Sequence, residues 1–307
     1  MDGVLRMGGM VSHADAFASR RAPKGRRRLH AFAALCLGPL LQACSPLRVI
    51  NGLVPSDTHT VLAAQRYGAG ERQLLDVYLP LAQPARTAVL FFYGGSWSSG
   101  DRADYTFVGE ALAAQGFVTL VADYGLSPVV RYPGFLEDCA EAARWAWAAL
   151  PQWGADRLCL VGHSAGAYNA AMLALDSRWL ARVGRSPEEL AGWAGLAGPY
   201  DFLPIGLPAV QTAFGWPDTP IDSQPLYHAQ RVGSDVPALL LAAREDDLVS
   251  PRRNTLALAS ALRAHGTPLN VEVFDRVGHA TLVGAMARPL RHLAPVLPRL
   301  AEFIGRL

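Results

Sequence analysis

The sequence predicts an α/β fold, a mostly parallel, doubly wound sheet flanked by helices. Three observations predict it. Continuous apolar runs of strand length, 88–93 (AVLFFY) and 117–122 (FVTLVA), suit strands buried on both faces of a parallel sheet. Segments of helical length and composition separate these runs. A content of 51% hydrophobic and 18% charged residues over 307 positions describes a chain with a sizeable core, enough for one large domain or two small ones.

The elements follow in order. Residues 74–79 alternate as a half-buried strand does. Residues 105–115 read as a helix closed by Gly116, and 134–150 as a helix stopped by Pro151. Residues 157–162 form another buried strand, followed at once by a helix over 165–175. Residues 190–197 and 238–243 read as later strands, 251–265 as a helix, 270–275 as a strand. The C-terminus is helical with proline interruptions. No internal repeat or low-complexity tract is present.

The N-terminus reads as an address. Residues 1–43 carry seven basic side chains (Arg6, Arg20, Arg21, Lys24, Arg26, Arg27, Arg28) against Asp2 and Asp15. With a total charge of +2, the remainder stands at −3, so the body has no electrostatic reason to bind nucleic acid. Lys24 is the only lysine, which excludes a phosphate-loop lysine, a Schiff-base lysine and a Ser–Lys dyad from the body. Residues 29–43 are apolar, signal-like, and shorter than the roughly 20 residues a spanning helix needs. Leu41-Gln42-Ala43-Cys44 resembles the bacterial lipobox, which implies cleavage before Cys44 and its lipidation. Ser45 follows, with no aspartate to signal inner-membrane retention. The expectation is a lipid-anchored envelope protein on the periplasmic side of the outer membrane; an ordinary signal peptide, with a periplasmic or secreted product, is the alternative. Residues 1–19 are long for an n-region and point to a later translation start. Residues 44–58, broken by Pro46, Asn51, Gly52, Pro55, Ser56 and Asp57, read as a tether to a catalytic domain over 59–307. Cys139 and Cys159 read as buried thiols, a disulfide being the alternative in an oxidising compartment. No CxxC or His/Cys cluster suggests a metal, and no cofactor is expected.

Gly162-His163-Ser164-Ala165-Gly166 fits G-x-S-x-G. A strand precedes it and a helix follows, the context that puts a serine on a sharp, exposed turn between small neighbours. Ser164 is therefore the candidate nucleophile, and the Ala165 amide points where negative charge is favoured. After the strand at 88–93 come Gly94-Gly95-Ser96-Trp97. This resembles the His-Gly-Gly-x-Trp loop of an α/β-hydrolase branch that includes carboxylesterases, feruloyl-esterase-like enzymes and kynurenine-formamidase-like enzymes. The resemblance implies an α/β-hydrolase fold with Gly95, Ser96 and Ala165 as oxyanion donors and Gly94 enabling the turn. Tyr93 stands where that branch has histidine, a departure that bears on loop rigidity and substrate preference. Val121-Ala122-Asp123-Tyr124, Tyr132-Pro133-Gly134 with Glu137, Asp138 and Trp145, and Gly198-Pro199-Tyr200-Asp201-Phe202 continue the resemblance across about 59–307.

That fold delivers its triad in the order Ser, acid, His. His279 follows the last strand and a short loop and is the candidate base. His265 and His292 belong to helices, and His228 precedes the acid. Glu245, Asp246 and Asp247 compete for the acid; the register of a Gly-x-x-Asp-x-x-Val pattern, with Ala243 in place of glycine, selects Asp246 and leaves Asp247 as runner-up. Residues 199–236 read as a small irregular lid, whose Tyr200, Phe202, Phe214 and Trp216, with Trp97, are expected to line an apolar acyl or aryl pocket. The alternative is that each packs the lid against the body. The expected activity is hydrolysis of small carboxylic esters through an acyl-enzyme. The rivals are arylformamidase-like amide hydrolysis, of the N-formylkynurenine type, and non-catalytic binding on a hydrolase scaffold.

Overall fold

A computed structural model describes residues 46–231 and 234–307. The signal segment, Cys36 and the expected lipidation site Cys44 lie outside the described residues. Eight strands form one sheet: β1 (His59–Arg66), β2 (Leu74–Pro80), β3 (Thr87–Phe92), β4 (Thr119–Ala122), β5 (Arg157–His163), β6 (Gly192–Leu196), β7 (Ala238–Ala243) and β8 (Leu269–Phe274). Their spatial order is β1-β2-β4-β3-β5-β6-β7-β8. The β1–β2 and β2–β4 pairings are antiparallel and all others parallel.

Burial explains the apolar runs. Every side chain of β3, β4, β6 and β7 is buried, as is all of β5 except Arg157. These central strands carry helices on both faces, so apart from Arg157 their side chains are shielded from water. β1 is mostly exposed along its length and lacks the periodicity that would announce it, which is why sequence reasoning did not resolve it. The helices Gly134–Ala149 and Ala165–Leu175 bury against the sheet, the latter at every residue. The helix expected over 251–265 begins as a wider π-helical turn, Arg252–Leu256, before continuing as Ala257–Ala264.

One expectation needs correction. Within the expected tether, Pro46–Gly52 form a short helix. Asn51 fixes it to the body: its Nδ2 donates to the Ala103 carbonyl (2.9 Å) and its Oδ1 accepts from the Phe107 amide (3.3 Å). The small lid is irregular apart from the short helices Pro208–Phe214 and Pro225–Ala229, each started by a proline whose missing N–H costs nothing there. Cys139 and Cys159 are both buried and unpaired.

The order of the sheet positions the site. β3, β5, β6 and β7 run parallel, so the loops leaving their carboxyl ends gather on one edge, the edge where open α/β sheets bind ligands.

Candidate active site

Ser164 sits between β5 and the helix Ala165–Leu175 with φ 54° and ψ −121°, a backbone state that a side-chain-bearing residue holds only when its surroundings enforce it. Its amide donates to the Leu196 carbonyl (2.8 Å). The turn is tight enough that a Cβ on Gly166 would stand 2.0 Å from the Phe92 carbonyl oxygen, so only glycine fits there.

Two loops bring the other two groups to the serine. His279 follows β8, and its Nε2 lies 2.8 Å from Ser164 Oγ. Asp246 follows β7, and its Oδ2 lies 2.8 Å from His279 Nδ1. The second carboxylate oxygen, Oδ1, accepts from the amides of Leu248 (2.9 Å) and Val249 (2.8 Å). Burial works to raise the Asp246 pKa; the hydrogen bond from His279 and the two amides outweigh it and hold the carboxyl below its ordinary value. Asp246 therefore stays anionic beside the imidazole. Glu245 and Asp247 are exposed, and of the three neighbouring acids it is Asp246 whose carboxylate reaches His279.

The loop after β3 faces this group. A Cβ on Gly94 would lie 2.9 Å from Ser164 Cβ, so the loop rests directly on the nucleophile. Gly95 has φ +136°, and its carbonyl accepts from the amides of Ser98 (3.0 Å) and Ser99 (3.1 Å), closing the turn. Ser96 and Trp97 follow with φ 51° and 54°. Ser96 and Ala165 line the cavity above Ser164, and neither amide donates to a protein acceptor among the described residues.

A buried ionic network holds that loop, and sequence reasoning did not find it. The Tyr93 hydroxyl donates to Asp123 Oδ1 (2.6 Å) and accepts from Arg72 Nη2 (2.6 Å). Arg72 also reaches the Gly100 carbonyl (2.8 Å), and Arg102 pairs with both Asp123 (2.5 Å) and Asp76 (3.0 Å). The Tyr93 carbonyl accepts from the Tyr124 hydroxyl (2.8 Å). Burial, and then the Asp123 charge, push the Tyr93 phenol well above its ordinary value, so it remains a donor. Both ends of the loop are thereby fixed, and Tyr93 is the bridge between cation and anion where the resembled branch has histidine. No local spacing announces the network, because Arg72, Tyr93, Arg102 and Asp123 come from separate segments of the chain.

The cavity over Ser164 measures about 360 Å³. Of the five residues expected to line it, Trp97 and Phe202 do. Tyr200, Phe214 and Trp216 do not. Tyr200 is fully buried against Trp193, with its amide bonded to Asn254 Oδ1 (2.6 Å). Phe214 lies behind Trp97, edge-on at 4.7 Å, and Trp216 packs half-buried against the core. The lining is instead completed by aliphatic residues, Ile205, Leu207, Val210, Leu248 and Val249. Tyr200 and Phe214 are taken up by the packing of the lid against the body, the alternative the sequence also allowed. Trp97 is anchored by its Nε1–H to Asn169 Oδ1 (3.0 Å). At the rim, Arg253 pairs with Asp201 (3.0 Å) and also meets the Leu203 carbonyl. No cluster able to hold a metal ion occurs among the described residues.

The fold and this arrangement define the class: the chain is an α/β hydrolase. The prolyl oligopeptidase family model matches residues 134–297, more than half of the chain, and the chain belongs to that family. A second model, BD-FAE, matches residues 75–184. Esterase LipC of Mycobacterium tuberculosis is 30% identical over 241 residues, 71% of this chain and 57% of LipC. Kynurenine formamidase of Danio rerio is 32% identical over 142 residues, 45% of this chain and 46% of that protein. The chain thus spans about half the length of these curated relatives. Among solved structures, inhibited esterase B from Lactobacillus rhamnosis superposes with a TM-score of 0.70 at 19% identity, covering 90% of this chain and 97% of that one. Thermogutta terrifontis esterase 2 gives 0.66 at 19% identity, covering 82% and 96%.

Proposed function

We propose that this protein is a serine hydrolase of small carboxylic esters, working through an acyl-enzyme on Ser164. The observation that carries the reading is the unbroken chain Ser164 Oγ, His279 and Asp246, with two 2.8 Å links, at the floor of an apolar cavity. In this mechanism His279 takes the serine proton as Oγ attacks the ester carbon, and Asp246 fixes the imidazole tautomer and stabilises the cation. The carbonyl oxygen becomes an oxyanion and is received by the amides of Gly95, Ser96 and Ala165, with Gly94 enabling the turn that presents the first two. The amino end of the helix Ala165–Leu175 adds its positive end to the same point. His279 then protonates the leaving alcohol, and water repeats the sequence to release the acid.

The apolar lining and the neutralised Arg253–Asp201 rim favour an uncharged acyl group. Similarity to kynurenine formamidases keeps formamide hydrolysis as the second reading. A nitrophenyl ester series from acetate to laurate, beside N-formylkynurenine and a prolyl peptide, separates the readings. The ester series should dominate; faster turnover of the formamide or the peptide would replace the assignment. Labelling of Ser164 by a fluorophosphonate separates an enzyme from a binding scaffold.

The same proposal places the enzyme on the envelope by acylation at Cys44, supported by the basic n-region, the short apolar run and Leu41-Gln42-Ala43-Cys44. Labelled palmitate should enter the wild type and not Cys44→Ser; wild-type protein free of lipid in the periplasm or medium would replace the anchor with an ordinary signal peptide.

A further inference from the structure

His163, the variable residue of the Gly162–Gly166 motif, is used by nothing above. Its ring is buried, 5% exposed, directly beneath the site. Its Nε2 lies 3.0 Å from the backbone carbonyl oxygen of His279, the residue whose side chain faces Ser164. A carbonyl only accepts, so Nε2 carries the proton and Nδ1 holds a lone pair. That Nδ1 is buried without a hydrogen-bond partner among the described residues. On this side of the ring stands the loop after β3: a Cβ on Gly94 would lie 3.0 Å from Nδ1. The His163 and His279 ring centres are 5.0 Å apart. One imidazole therefore touches the turn that carries the nucleophile, the loop that receives the oxyanion and the backbone of the base.

We propose that His163 is a positioning residue for His279, holding the base's backbone to the nucleophile's own turn through the Nε2–H to carbonyl bond. The proposal rests on the reading of Ser164 and His279 as nucleophile and base. Its physical content is a short tether. Ser164 and His279 are 115 residues apart in sequence and arrive on different loops, so their 2.8 Å contact depends on both loops keeping their places. The bond from residue 163 to residue 279 ties those loops one residue away from the reacting atom. A purely space-filling ring would leave the buried His279 carbonyl to another donor and would not need to place an unpaired nitrogen in the core, an arrangement that carries a cost.

Substitution in the full chain separates positioning from packing. Gln places an amide N–H near the position of Nε2 and reaches the carbonyl; Asn is polar but too short; Leu fills space without a donor. Loss of one such bond should lower kcat for nitrophenyl acetate about tenfold in His163→Asn and His163→Leu, with KM within about twofold, and His163→Gln should recover kcat to within about threefold of wild type. Should the Leu variant not fold, the Gln and Asn pair decides alone. Equal kcat in the Gln and Asn variants, or a loss confined to KM, overturns the proposal. Ser164→Ala runs in the same assay: if it keeps esterase activity, the triad reading itself has failed, whereas an inactive Ser164→Ala beside equal Gln and Asn variants removes only the role of His163.

Discussion

The two walls of the cavity are held from behind by opposite means. On the side of the loop after β3, Arg72, Arg102, Asp76, Asp123 and Tyr93 form a charged network in which Asp123 is only 2% exposed. On the lid side, Ile205, Leu207 and Val210 present aliphatic side chains, and the ion pair there, Arg253–Asp201, is only partly buried. A buried network is fixed by directional bonds and a low dielectric, so it holds a backbone in one place. Aliphatic contacts are non-directional and tolerate change of shape. The first wall suits the amides that must meet a developing charge; the second suits a group whose size is to be selected.

The largest effect tests what both walls serve. Ser164→Ala should reduce ester turnover by about four orders of magnitude or more, and Asp246→Asn by about three to four, while Asp247→Asn stays within about twofold. Steady-state rates on one nitrophenyl ester check all three. A greater loss in the Asp247 variant would move the acid by one residue and contradict the contact at 2.8 Å.

How much of this was legible in the sequence follows from the same contrast. The strands and the turn at Ser164 were, because a sharp turn between strand and helix needs Gly162 and Gly166 beside Ser164, and buried parallel strands need unbroken apolar runs. The register after Ala243 singled out Asp246 with Asp247 as runner-up, and it is the Asp246 carboxylate that lies between His279 and the amides of Leu248 and Val249. The charged network was not legible, because Arg72, Asp123 and Arg102 come from separate loops and no local spacing links them. The pocket was partly legible: Trp97 and Phe202 line it, but Val210 and Phe214, four residues apart on one face of the same helix, end in cavity and core respectively, a division that no sequence period distinguishes. Residues 59–66 carry no period because the edge strand they form buries little.

Breaking the charged wall comes next in size. Asp123→Asn leaves Arg72 and Arg102 facing a neutral amide inside the protein. Removal of one partner from a buried pair costs about 3–5 kcal/mol, and the arginines here are partly solvated, so the lower end is expected. Urea unfolding should show that loss, and kcat should fall by about tenfold to a hundredfold as the loop bearing Ser96 loosens. Unchanged stability with unchanged kcat would show that the network does not hold the loop.

A smaller effect joins the chemistry to pH. Burial, then the His279 ring, push the His163 pKa down to about 3. Its ordinary value is about 6.5, so below that pH the unfolded chain takes up a proton that the folded chain refuses. Stability from this group is complete above about pH 6.5 and is lost on acidification towards pH 3, at up to about 1.4 kcal/mol per pH unit. Asp246 acts in the same direction at lower pH: its depressed pKa contributes stability above about 3.9, lost as pH falls through its folded value. Urea midpoints from pH 7 to 4 should therefore decline, and His163→Gln should flatten the slope. An equal slope in that variant would mean that other groups carry the acid sensitivity.

The smallest expected effect sharpens the aliphatic wall. Val210 is nearly buried, 7% exposed, and lines the cavity from the helix Pro208–Phe214, whereas Leu207 just before that helix is 53% exposed at the rim. Val210→Ala should deepen the pocket without touching Ser164, His279 or the loop after β3. The space gained is about two methyl groups. A methylene in a hydrophobic pocket discriminates substrates by about tenfold or more when the fit is good, and a newly opened, imperfectly fitted space should give less, about threefold to fivefold. The preferred acyl chain should therefore lengthen by about one or two carbons, seen as kcat/KM rising for hexanoate over butyrate. Leu207→Ala, at the solvent edge, should shift the ratio by less than about twofold, because the removed side chain was already largely in water. If Leu207 shifts the preference more than Val210, the acyl chain leaves along the rim, and the helix Pro208–Phe214 borders the alcohol side of the ester instead.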